Sequence, residues 1–161
     1  MPTYDLLQNA ETYAQSFEAG NLPASPASGV AVVTCMDARI NVFGLFGLNE
    51  GDAHILRNAG GIVTDDLIRS LTLSQRLLGT SEIILVHHTE CGMLTFTDAD
   101  MARQMESETG VRPPFQFGAF TDLADDIRVS ITRINDSPFI PHKQVRGFIY
   151  DVRTGLLEEV V

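Results

Sequence analysis

The chain has no tryptophan and only two cysteines in 161 residues. So few thiols cannot staple a disulfide scaffold, and each of them needs its own explanation. Positive charge is also scarce: 11 Lys and Arg stand against 21 Asp and Glu, for a formal charge of −10 at pH 7. An acidic surface of this kind argues against nucleic acid and against anionic membrane as partners. No run approaches the roughly 20 apolar residues that span a bilayer. The first twenty residues carry acidic and polar side chains, where a secretory signal has a basic start and an apolar centre. These absences predict a cytoplasmic protein whose thiols stay reduced. With 44% hydrophobic and 20% charged residues and no internal repeat, the composition predicts one domain over 1–161.

What is present is an alternation of strand and helix patterns. Leu6, Leu7, Ala10, Tyr13, Ala14 and Phe17 fall at helical spacing, predicting an amphipathic arm within 1–20, which Gly20 ends. A linker rich in Pro, Ala and Ser follows. Strands are predicted at 30–35, 53–57, 82–88 and 146–152, with a short tail after the last. Between them lie a short apolar helix or turn at 40–48 and a helix that Thr64-Asp65-Asp66 caps and Gly79 stops. Residues 91–108 read as largely helical, with Asp98 as cap, and a further helix spans about 121–134. In the capped helix, Leu67, Ile68, Leu71, Leu73, Leu77 and Leu78 form the expected buried side. This order predicts an α/β fold with a mainly parallel β-sheet flanked by helices.

The two cysteines fall at corresponding places in that order. Val30-Ala31-Val32-Val33-Thr34 runs into Cys35, and Ile83-Ile84-Leu85-Val86 runs into His87-His88-Thr89-Glu90-Cys91. Both runs are short, β-branched and without alternation, as strands buried on both faces are. Loops at the carboxyl ends of such strands are where open α/β sheets place ligands. Cys35, His88 and Cys91 gathered there would form a Cys2His zinc site with one open position, a catalytic arrangement. The first cysteine stands 53 residues before His88, so the spacing is not that of a zinc finger. In an extended Cys35-x-Asp37-x-Arg39 segment the three side chains share a face. A carboxylate there can bind the metal and close it, or accept a hydrogen bond from metal-activated water. Arg39, a planar fork of donors, can hold Asp37 in a bidentate pair and keep it off the metal.

Cys35-Met36-Asp37-Ala38-Arg39, Arg57-Asn58-Ala59-Gly60 and His88-Thr89-Glu90-Cys91-Gly92 together resemble the β-class carbonic anhydrases, over about residues 28–152. The short length and the doubled His87-His88 are most similar to the compact branch of that family, which includes hydrolases of carbonyl sulfide and carbon disulfide. The resemblance implies one zinc ion per subunit on Cys35, His88 and Cys91, with Asp37 and Arg39 as the catalytic dyad. It implies carbon dioxide as substrate, with carbonyl sulfide or carbon disulfide as the alternative. It also implies a homodimer or a dimer of dimers, in which the first helix packs on the neighbouring subunit.

Other residues admit plainer readings. Gly60 and Gly61 permit a tight turn or close approach to a bound group and are candidates for substrate contact. Phe43, Ile62 and Val63 are candidates for an apolar wall. Either cysteine alone reads as a small core hydrophobe, or the two as a redox pair; a non-enzymatic zinc or thiol-redox protein is therefore the more distant alternative. His87 reads as a core histidine or one that supports the ligands from behind, and His54 as a structural one or a proton relay. Arg57 either fixes the turn or closes the pocket.

Overall fold

A computed structural model of the chain describes residues 3–160; residues 1, 2 and 161, the outermost of the expected arm and tail, lie outside the described residues. Five strands form one sheet: β1 (Val30–Cys35), β2 (Ala53–Asn58), β3 (Glu82–His88), β4 (Gln144–Tyr150) and β5 (Leu157–Val160). Their spatial order is β2-β1-β3-β4-β5. The first four are parallel, and β5 pairs antiparallel with β4. The helices are α1 (Thr3–Gln15), α2 (Val42–Phe46), α3 (Asp65–Leu78), α4 (Asp98–Thr109) and α5 (Leu123–Asp136).

This order creates a switch point. From β1 the chain passes through α2 to β2 on one side; from β3 it passes through α4 and α5 to β4 on the other. A crevice opens outside the carboxyl ends of two neighbouring strands whose connections diverge in this way. Cys35 is the last residue of β1 and His88 the last of β3. The ligand candidates therefore sit where the topology leaves room for a ligand.

Two apolar clusters sandwich the sheet. Ala31 and Val33 of β1, Ile83 and Leu85 of β3, Leu67 and Leu71 of α3 and Ile134 of α5 form one. The other holds Val32, Ile40, Val42, Val86, Met93 and Phe120, together with Cys35 and Cys91. Helix α5 comes so near β4 that a methyl group on Gly147 would stand 2.1 Å from Ile127 Cγ2.

Several expectations shift. Leu157–Val160 is a strand rather than tail: it pairs with Gly147–Tyr150, and β4 itself begins at Gln144 and ends at Tyr150. The segment after Cys91 starts with a 3-10 turn, Gly92–Leu94, and α4 is capped by Thr97, whose hydroxyl accepts the Asp100 N–H. Asp98 serves another purpose: its carboxylate accepts the N–H groups of Phe117, Gly118 and Ala119, and these hold its pKa below the usual carboxylate range. In α3, Leu73 and Leu77 are exposed, while Ser74 and Gln75 are buried. Their polar groups are satisfied, Ser74 by His54 and Thr80 and Gln75 by the His142 backbone. No helix among the described residues is long and apolar enough to cross a membrane.

Candidate active site

Cys35, His88 and Cys91 are brought together: one potential ligand atom from each lies within 4.8 Å of the others, and all three residues are buried. The two cysteines are free thiols. Parallel pairing of β1 with β3 sets Thr34 beside Val86 and so delivers both strand ends to one place. Beyond β3 the chain turns through Thr89 and Glu90 to bring Cys91 back to the site. Glu90 adopts φ +58°, the left-handed region, and is the one non-glycine with positive φ among the described residues. A side chain disfavours that conformation, so the surrounding contacts must hold it.

His88 is wholly buried, and its two ring nitrogens differ. Nδ1 lies 2.8 Å from the Thr89 carbonyl, a contact that places the proton on Nδ1. Nε2 then carries a lone pair, and it is buried with no hydrogen-bond partner. A buried acceptor without a partner is costly unless something binds it. Burial also depresses the His88 pKa, which keeps the ring neutral. At Cys91, burial above all pushes the thiol up to about 11, and the adjacent Cys35 adds to the rise. A divalent cation reverses that balance, because a coordinating thiol ionises. Two sulfurs and a neutral imidazole nitrogen with a free lone pair match the donor preferences of zinc.

Asp37 stands beside this group. Arg39 grips its carboxylate with Nε to Oδ1 at 3.0 Å and Nη2 to Oδ2 at 2.7 Å, and the Arg39 backbone N–H adds a bond to Oδ1 at 2.9 Å. Arg39 thereby holds the Asp37 pKa well below the usual carboxylate range. Oδ2 lies 3.8 Å from His88 Nε2. The loop itself is tied by Arg57, which donates to the carbonyls of Cys35 (2.9 Å), Asp37 (2.7 Å) and Ile40 (3.3 Å). Arg57 thus fixes the turn that carries Cys35, Asp37 and Arg39.

The carbonic anhydrase family profile matches residues 30–113, a stretch that contains Cys35, Asp37, Arg39, Arg57, His88 and Cys91. The chain belongs to the β-carbonic anhydrase family. It is 53% identical over 159 residues to beta-carbonic anhydrase 1 of Mycobacterium tuberculosis, covering 98% of this chain and 97% of that one. The carbon disulfide hydrolase of an Acidianus strain is 37% identical over 155 residues, covering 80% of this chain and 75% of that enzyme. Among solved structures, carbonic anhydrase from Streptococcus mutans superposes with a TM-score of 0.91 at 45% identity, covering 100% of this chain and 99% of that one. Membership makes this chain an enzyme, and carbonic anhydrases are lyases.

In this β-carbonic anhydrase fold Gly61 is needed for packing: it has φ +68°, and a Cβ there would stand 2.8 Å from the Cys35 nitrogen and the Thr34 carbonyl carbon. Gly60, at φ +80°, would meet Met93 Cγ at 2.8 Å. Ile62 packs against the cluster that contains both thiols, Val63 belongs to the other cluster and so does not form the expected wall, and Phe43 is exposed. His87 is buried, stacks on Phe120 and bonds through Nε2 to Asp126 at 2.7 Å. His54 pairs with Ala31, four residues before Cys35 along β1, and bonds Ser74, which removes it from the metal-ligand end. Two charged neighbours of the site carry no local signal of that placement. Glu90 accepts from Arg39 Nη1 at 3.2 Å, and Arg153 contacts Glu90 in turn. Glu90 was legible only as a charge between His88 and Cys91; nothing local marks Arg153.

Proposed function

We propose that this enzyme is a zinc-dependent carbonic anhydrase, interconverting carbon dioxide and bicarbonate. The observation that carries the reading is the unpartnered, buried Nε2 of His88 beside two thiols and an arginine-held carboxylate. Zinc held by Cys35, His88 and Cys91 would lower the pKa of water at the remaining position towards neutrality.

The chain's own residues do the rest. Thr89 fixes the His88 tautomer through its carbonyl. Arg39 occupies both oxygens of Asp37 and so keeps that carboxylate ionised and directed. Oδ2 accepts a hydrogen bond from the attacking water oxygen and turns the oxygen's free lone pair towards the substrate carbon; the displaced proton leaves to buffer. Gly60 and Gly61 let the turn after β2 pack directly on Met93 and on the backbone of Thr34 and Cys35, where a side chain would not fit, and any contact they make with substrate is through their backbone. Ile62, Met93 and Phe120 keep the thiol side of the site apolar.

A second copy of the chain belongs to the reading. Helix α1 buries none of its residues on its own chain, and Tyr4, Leu6, Leu7 and Tyr13 of its apolar side are exposed. Strand β2 is an open sheet edge. Both features suit a homodimer, or a dimer of dimers, of a cytoplasmic enzyme.

Carbonyl sulfide or carbon disulfide hydrolysis is the second reading, favoured by the similarity to the Acidianus carbon disulfide hydrolase. The same hardware attacks either carbon. Paired assays separate the two: stopped-flow carbon dioxide hydration, and sulfide release from carbonyl sulfide and carbon disulfide. Rapid hydration with little sulfide is expected. Sulfide release without hydration would replace the first reading with the second.

A further inference from the structure

The end of β4 and the turn that follows it grip the loop that carries His88 and Cys91 at three places. Thr89 N–H donates to the Tyr150 carbonyl at 2.9 Å, and Val152 N–H donates to Thr89 Oγ1 at 3.1 Å. The third contact is between side chains: Arg153 donates from Nε to Glu90 Oε1, across 63 residues of sequence. The turn is itself held, since Asp151 Oδ1 accepts the N–H groups of Arg153 (2.7 Å) and Thr154 (3.0 Å).

Glu90 then passes the contact inwards. Its other oxygen, Oε2, accepts from Arg39 Nη1 at 3.2 Å, and its carbonyl accepts from Arg39 Nη2 at 3.3 Å. Arg39 uses its remaining donor face, Nε and Nη2, on Asp37. A continuous line of alternating charge therefore runs Arg153, Glu90, Arg39, Asp37, from the sheet edge to the carboxylate beside His88. Glu90, which takes the left-handed backbone conformation, bonds both arginines through its carboxylate.

We propose that Arg153, acting through Glu90, is a positioning residue for the Arg39–Asp37 pair: the β4–β5 turn braces the metal loop from outside and fixes the angle at which Asp37 meets the reacting oxygen. The inference rests on the functional reading above for its effect on turnover, and on these contacts alone for its effect on Arg39. Arg153, Glu90 and Arg39 are each well exposed, with side-chain accessibilities of 78%, 42% and 46%. Exposed pairs of this kind contribute little to global stability. Their effect is geometric, and small misplacements of a directing group cost turnover steeply.

Zinc-loaded wild type, R153M and R153K are to be compared by nitrogen-15 NMR, kinetics and zinc analysis. The Nε–H of Arg39, assigned by its loss in R39K, reports the grip on Asp37 through its exchange rate with solvent. R153M should speed that exchange about tenfold and lower kcat about fivefold, with KM, Tm and zinc content nearly unchanged. R153K, which keeps the charge, should recover about half of both effects. E90Q should match R153M, giving a second route to the same result. In a D37N background R153M should lower kcat no further, because its effect passes through Asp37. Unchanged Arg39 exchange in R153M and E90Q would overturn the proposal, as would an equal loss of kcat in the D37N background. If the wild type processes neither carbon dioxide nor the sulfur analogues, the functional reading falls, and the Arg39 exchange rate alone decides the brace.

Discussion

Asp37 Oδ2 and His88 Nε2 stand 3.8 Å apart, the one an acceptor held by Arg39 and the other a lone pair with nothing bound to it. The separation places the carboxylate next to the candidate metal-ligating nitrogen without its joining the three-residue donor group. Arg39 maintains that distinction by engaging both carboxylate oxygens.

Asp37→Asn should therefore bind one zinc per chain as the wild type does and lose about 100-fold or more in kcat, the usual scale for a positioned proton-handling group. Arg39→Ala should lose a similar factor by releasing the carboxylate. The double variant should be no worse than the poorer single one, since the two residues act as a unit. Stopped-flow hydration with zinc analysis checks both statements; additive losses would show that the residues act separately.

Proton release on metal loading follows from the electrostatics. The Cys91 thiol is pushed up to about 11 in the metal-free chain, so at neutral pH it is protonated and must lose that proton to bind. His88, with its pKa depressed, is neutral and releases none. Calorimetry in buffers of different ionisation enthalpy should give at least one proton per zinc at pH 7, with affinity falling as pH is lowered. For the metal-free fold the sign runs the other way. A raised native pKa means that stability present below about pH 9 is lost as pH climbs through about 11, because the unfolded thiol ionises first. A pH-independent zinc affinity would contradict the thiol assignment.

Gly61 gives a stability prediction independent of catalysis. Alanine there must take φ +68° and place its methyl 2.8 Å from two backbone atoms of β1. Gly61→Ala should cost about 2 kcal/mol or more in urea unfolding. Gly79→Ala, at φ +75° with nothing within 4 Å, isolates the conformational part and should cost less.

The parts legible in the sequence were those with local physical signatures. β1 and β3 announce themselves as unalternating β-branched runs, and their polar ends carry Cys35, His88 and Cys91 together with the Asp37–Arg39 spacing. Strand β5 has no such signature. Leu157-Glu158-Glu159-Val160 becomes a strand through pairing with β4, and Arg146 binds Glu159 across that pair. The start of α4 was misplaced because Asp98 is drawn to the 117–119 loop, a tertiary contact that a capping pattern does not reveal. Arg153 escaped for the same reason. A lone arginine in a polar turn has meaning only once the fold sets it against Glu90.

The proposed activity requires that Cys35, His88 and Cys91 hold a single zinc ion. Metal-free protein titrated with zinc, with carbon dioxide hydration followed by stopped flow, tests it directly. Activity should rise in proportion to bound zinc and level off at one ion per chain, and Cys35→Ser and Cys91→Ser variants should stay inactive throughout. Hydration that survives complete removal of the metal, or full activity in either serine variant, would contradict it.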